Sequence, residues 1–306
     1  MQLTREEHDK ARAVIYERAR PLEQRRFAYH FEGGAAEDVL AELVKYQNAD
    51  GGFGHALEPD LRLPDSSVLA TTVGLQILQE LGVPADHPLV QGAIRYLLDT
   101  YDAESEAWPI IPSNANWAPH APWWLHDENL SERWRGFLAN PRAEIVGYLW
   151  DYAALVPDDL CERLTAAVLS HLSTRPDVFT DSDLVCYRRL AETRTLPDGA
   201  RTEIVEKLKP IIDRLVVREP ATWEQYVLKP LDVATSPDSP FAEMLAAEIE
   251  ANLDYEIERQ DEDGSWAPNW TWGDNYPEVW PEAEREWRGV LTVKMLKLLR
   301  SFGRLQ

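Results

Sequence analysis

Residues 47–60 read QNADGGFGHALEPD, and residues 260–266 read QDEDGSW. Both contain Gln-x-x-Asp-Gly-x-aromatic, and each follows an amphipathic helical stretch. Asp-Gly makes a turn, because glycine tolerates the positive φ that a tight reversal needs. A Gln at the end of the preceding helix can reach orphan backbone groups at a neighbouring helix end. The aromatic residue then seals the corner. The same fastener written twice implies helices stacked side by side and joined at similar corners.

The rest of the chain supports this. Apolar residues recur at i, i+3, i+4 and i+7 in AEDVLAELVKYQ, SSVLATTVGLQILQELG, PLVQGAIRYLLDTY, AEIVGYLWDYAAL and LCERLTAAVLSHL. The pattern continues in DLVCYRRLAE, TEIVEKLKPIIDRL, FAEMLAAEIEANLDYEIE and WRGVLTVKMLKLLRSF, with breaks at Gly and Pro and no period-two alternation. AEDVLAELVKYQ and TEIVEKLKPIIDRL carry a charged face, as an outer layer does. SSVLATTVGLQIL and AEIVGYLWDYAAL have few charges on any face, as an inner layer does. Helices that alternate in this way can close into an α/α toroid, so the expected fold is all-α, a single toroid domain over residues 1–306. Two long connections interrupt the pattern, 104–139 and 261–283, and both are rich in Trp. They are expected to lie over one cavity mouth.

Composition narrows the partners. The net charge of −22 opposes binding to nucleic acid or to an anionic membrane surface. No apolar run is long enough to span a bilayer. The charged N-terminal segment MQLTREEHDKARAVIYERAR has no signal-peptide h-region. Cys161 and Cys186 are the only cysteines, so a cytoplasmic protein with free thiols is expected. Ten of the twelve Trp residues fall within 108–134 and 266–287, which marks those windows as ordered.

On Gln47-Asn48-Ala49-Asp50-Gly51-Gly52-Phe53 and Gln260-Asp261-Glu262-Asp263-Gly264-Ser265-Trp266, the chain resembles the α/α-toroid family. That family includes squalene and terpenoid cyclases and the β-subunits of protein prenyltransferases, and these segments match its QW motif. In the family the motif is structural. The resemblance further implies a role for Asp181-Ser182-Asp183-Leu184, which is similar to the Asp-x-Asp-Asp that heads an inner helix in class II cyclases. Asp183 would then be the proton donor and Asp181 its neighbour, although Leu184 replaces the final Asp. The alternative is a helix cap at Thr180 or Asp181, with Asp183 favouring the helix dipole. Asp158-Asp159-Leu160-Cys161-Glu162 has a superficial likeness to a prenyl-diphosphate motif, but its spacing is that of a cap.

Two further groups are candidates for the site. His55, Glu58 and Asp60 lie in the loop between the first corner motif and an inner helix, where they can supply an acid, a base or a polar contact. Asp65 or Ser66 would cap that helix. Trp117, Trp123, Trp124, Trp270, Trp272, Tyr276 and Trp280 occupy the long loops, and Trp223 and Tyr226 open another expected inner helix. Aromatic faces can stabilise a carbocation or stack on a sugar. No cofactor is expected. A divalent metal would need a distant His to join Asp183 and Cys186.

The preferred reading is an enzyme that carries out acid-initiated, class II-like cyclisation or rearrangement of an apolar, isoprenoid-type small molecule. The alternatives are a carbohydrate-active α/α-barrel hydrolase or lyase, and a small-molecule-binding toroid without activity. Cavity lining separates them: apolar for an isoprenoid, polar side chains among Trp for a sugar.

Overall fold

The computed structural model describes residues 1–306. The chain is all-helical, with 59% of its residues in helices and only isolated β-bridges. Thirteen α-helices follow in order: α1 Arg5–Arg18, α2 Pro21–Phe31, α3 Ala36–Leu43, α4 Val68–Glu80 and α5 Pro88–Asp99. Next come α6 Leu130–Arg133, α7 Arg142–Asp151, α8 Leu160–Thr174, α9 Asp181–Glu192 and α10 Asp198–Leu215. The last three are α11 Pro230–Val233, α12 Ala246–Glu258 and α13 Trp280–Ser301. None is long and apolar enough to cross a membrane. The chain divides into two compact units, one of residues 46–215 and one of 1–45 with 216–306.

In the 46–215 unit, the helices differ in how far they are enclosed. Helix α7 is buried at every position from Arg142 through Leu149, whereas α10, nearly twice as long, buries only Ile204, Leu208, Ile211 and Ile212. The enclosed helices run parallel. Gln76 and Gln79 of α4 bond Glu144 and Asp151 of α7 in that order. Arg189 of α9 and Thr195 just beyond it bond the same two acids in the same order. Parallel neighbours need a helix to bring the chain back, and α5, α8 and α10 pack against them in that role.

In the other unit, α1, α2 and α13 pack on one another, α3 on α2, and α11 on α12. Both chain ends lie here. Leu3 bridges Leu305, the N-terminal ammonium meets Asp254 at 2.6 Å, and Arg304 pairs with Asp254 at 3.0 Å. Helix α1 buries only Ala11 and Ile15, which explains why its charged sequence gives little periodic signal.

The two corner motifs are built alike, bond for bond. Gln47 Nε2 donates to Gly51 O and to Leu89 O of α5, both at 2.9 Å. Gln260 Nε2 donates to Gly264 O at 2.8 Å and to Glu7 O of α1 at 3.2 Å. Asp50 Oδ1 accepts from Gly52 N, and Asp263 Oδ1 from Ser265 N, each at 3.0 Å. The N–H of Phe53 donates to Thr71 Oγ1 of α4, and that of Trp266 to Thr292 Oγ1 of α13. Gly51 and Gly264 sit at φ +91° and +93°. Leu89 and Glu7 lie in first turns, where the orphan groups are N–H, so the Gln amides reinforce carbonyls rather than capping a helix end. Each such bond is worth about 1 kcal/mol net.

Three local expectations need correction. Ser67, not Asp65 or Ser66, caps α4 by accepting from Ala70 N at 3.0 Å; Asp65 accepts from Asn114 instead. Asp159 stands at the N-cap of α8 without a side-chain cap bond and pairs with Arg163 at 2.6 Å. Trp223 and Tyr226 do not open a helix. Trp223 ends the 3-10 turn Pro220–Thr222, and the next helix begins at Pro230.

Candidate active site around Glu58

After the first corner, the backbone makes an uncommon turn. His55 and Ala56 are consecutive non-glycine residues at φ +55° and +58°, a conformation that costs about 1–2 kcal/mol per residue and gathers at functional sites. His55 N donates to Leu63 O at 2.9 Å, and His55 Nε2 lies 2.9 Å from Asn48 Oδ1. The folded loop is clasped to residues 119–121: Arg62 N donates to Pro119 O at 2.9 Å and Ala121 N to Asp60 O at 2.8 Å. The clasp brings together residues some sixty positions apart, and Glu58, Asp60, His120 and Trp124 are all buried.

Glu58 is the unusual member. Its Oε2 is buried and has no hydrogen-bond partner, and the Trp124 indole N–H is likewise unpaired. Burial pushes the Glu58 carboxyl well above the ordinary glutamate range, and the Asp60 charge adds to the rise. The nearby Asp60 and Leu61 backbone N–H groups and the Trp124 indole oppose the rise without reversing it, although none makes a hydrogen bond to Oε2. Glu58 therefore keeps its proton at a pH where an exposed glutamate has lost it. Trp124 is held by a stack on Trp134, with ring centroids 5.0 Å apart and planes 14° apart. The His120 Nδ1–H donates to Ala121 O at 2.8 Å, which fixes the ring. A carboxyl with a raised pKa, a neighbouring carboxyl and an indole can serve general-acid chemistry.

Asp183 has a different setting. Its Oδ2 accepts from Thr180 N at 2.9 Å and from Thr180 Oγ1 at 2.8 Å, which makes the capping box of α9, and lies 3.7 Å from Arg135. Its neighbour Asp181 is half-buried in the same first turn. Arg135, Gly136 and Phe137 form a left-handed run at φ +50°, +67° and +61°. Arg135 also lines an open cavity of about 610 Å³ with Glu128, Glu132, His171 and Arg175. Burial, then Arg142, lowers the His171 pKa. With its carboxylate spent on the cap, Asp183→Ala is expected to cost about 1 kcal/mol. The exposed Arg135 contact adds little. Asp183→Asn keeps an acceptor and should melt close to the parent. Thermal melting of the two variants checks this, and lost turnover at an unchanged melting temperature would return Asp183 to the role of acid.

The aromatic candidates divide by setting. Trp124, Trp223 and Trp272 are buried, and Trp223 Nε1 donates to Val217 O at 2.7 Å as a packing residue does. Trp123, Trp270 and Trp280 are half-buried. Trp117 and Tyr226 are 83% and 70% exposed. Glu58, Asp60 and Trp124 are the candidates that bring carboxyls and an aromatic ring together; Tyr226 meets Trp270 and Trp272 meets Trp280 as aromatic pairs. Sequence reading missed His120 and Trp134, whose roles depend on the clasp and the stack.

No group of three or more His, Cys, Asp and Glu side chains is placed to hold a metal ion. Burial raises the Cys161 thiol to about 11 and the Cys186 thiol well above its ordinary value, the opposite of what a metal-binding thiolate needs. No known family's sequence model matches the chain, and no curated protein is significantly similar to it.

Proposed function

We propose that this protein is an acid-catalysing enzyme on an α/α toroid, with Glu58 as the proton donor. The buried, unpartnered Glu58 carboxyl beside Trp124, its pKa raised by burial, carries this reading. The parallel enclosed helices and the twin corners support the toroid.

The direction of the Glu58 shift bears on the substrate. A carboxyl with a raised pKa holds its proton to higher pH but is a weaker acid. That suits an oxygen leaving group, whose basicity rises as its bond to carbon breaks, better than an alkene. The reading supported best is therefore hydrolysis at a glycosidic or similar C–O bond. Glu58 Oε2–H protonates the leaving oxygen as the bond breaks, and Asp60 takes a proton from the water that adds to carbon. The proton that Asp60 has taken then returns to Glu58 through water, which resets both carboxyls.

The second reading is acid-initiated cyclisation of an isoprenoid, favoured by the two corner motifs and the Trp124–Trp134 stack. Product analysis on aryl glycosides and polysaccharides, run beside squalene and geranylgeraniol, separates them. Hydrolysis of any glycoside supports the first reading, a cyclised hydrocarbon or alcohol the second. No product from either class would leave a binding protein and overturn both.

A further inference from the structure

Arg189 of α9 is half-buried, with 31% of its side-chain surface accessible. Its Nη1 donates to Glu144 Oε2 of α7 at 2.6 Å and its Nη2 to Gln76 Oε1 of α4 at 3.1 Å. Tyr148 donates to the same Glu144 oxygen at 3.0 Å. A guanidinium has five N–H donors, and only these two of Arg189 find acceptors in the protein.

The helix faces leading to Arg189 are half-buried at helical spacing. On α4 they are Leu69, Val73 and Gln76; on α9 they are Ser182, Val185 and Arg189. The Gln76–Arg189 bond links the two faces at this level. Both residues lie eight positions into their helices, about 12 Å from the helix starts. Leu69, Val73 and Val185 therefore form an apolar approach that ends at a cluster of N–H donors. Glu144 already balances the Arg189 charge, so the spare donors fit an uncharged oxygen better than an anion.

We propose that Arg189 is the binding anchor for the oxygen of an uncharged, amphiphilic molecule whose apolar body lies against Leu69, Val73 and Val185. This subsite goes beyond the assignment of Glu58 and does not depend on it. The test is calorimetric titration of the full chain with 1-octanol, octanoate and octylammonium. Octanol should bind, and at least about tenfold more tightly than either ion. Arg189→Met should weaken octanol at least about tenfold. The double variant Arg189→Met/Glu144→Gln, which removes both charges and so leaves neither buried alone, should weaken it equally while folding normally. Equal octanol binding by parent and double variant, tighter binding of either ion, or no binding of octanol would each overturn the proposal.

Discussion

Glu58→Gln is expected to reduce turnover by about 10²–10⁴-fold, the range for loss of a general acid, while the protein folds normally. The amide has nearly the shape of the protonated acid but no transferable proton. Stability supplies an independent check through its pH dependence. In the unfolded chain Glu58 ionises near pH 4.3, whereas in the folded protein burial and Asp60 hold its proton to considerably higher pH. Between those two values the unfolded state has released a proton that the folded state retains. The Glu58 contribution is thus fully present below the unfolded value and is lost as pH rises toward the folded one. Gln does not titrate, so Glu58→Gln should gain stability relative to the parent from pH 4 to pH 7. Melting curves at both pH values, together with product assays, decide the matter. A difference in melting temperature that does not change with pH would mean that Glu58 is ionised, and the proton-donor role would fall.

Gly51→Ala and Gly264→Ala are expected to have the largest effects on stability, about 3–5 kcal/mol each. A Cβ on Gly51 would lie 2.3 Å from Gly92 O, and one on Gly264 would lie 2.4 Å from Ala11 N. Both obstacles are helix backbone and cannot swing aside. Gly82 provides the control: it also has positive φ, at +65°, but nothing lies within 4 Å of its added Cβ. Gly82→Ala should cost only the conformational penalty of about 1 kcal/mol. Denaturant melts of the three variants test the close approach itself. If Gly51→Ala cost no more than Gly82→Ala, the corner would not be tight against α5.

Much of the helical framework was legible because its signals are local. The 3.6-residue periodicity that marks α4, α5 and α7 to α10 depends on residues within one or two turns. The corners are equally local, since Gln47 and Gln260 each bond a glycine carbonyl four residues on. Thr180 and Asp183 have capping-box spacing, so the cap was already a candidate; the tertiary packing of Arg135 against Asp183 was not visible.

The sequence alone determined that the chain is helical, that two Asp-Gly corners fasten it, and that Glu58 and Asp60 share one loop. It could not tell the two carboxyls apart, because an isolated Asp183 and an isolated Glu58 differ little. Tertiary structure separated them: Thr180 gives Asp183 hydrogen-bond donors, while the pairing of 60–62 with 119–121 buries Glu58 and leaves Oε2 without one. Arg189, Gln76 and Glu144 likewise come from three helices, up to 113 positions apart. Local spacing sets which face of a helix a residue occupies. Which faces meet, and which polar groups lose water, is decided only when the helices pack.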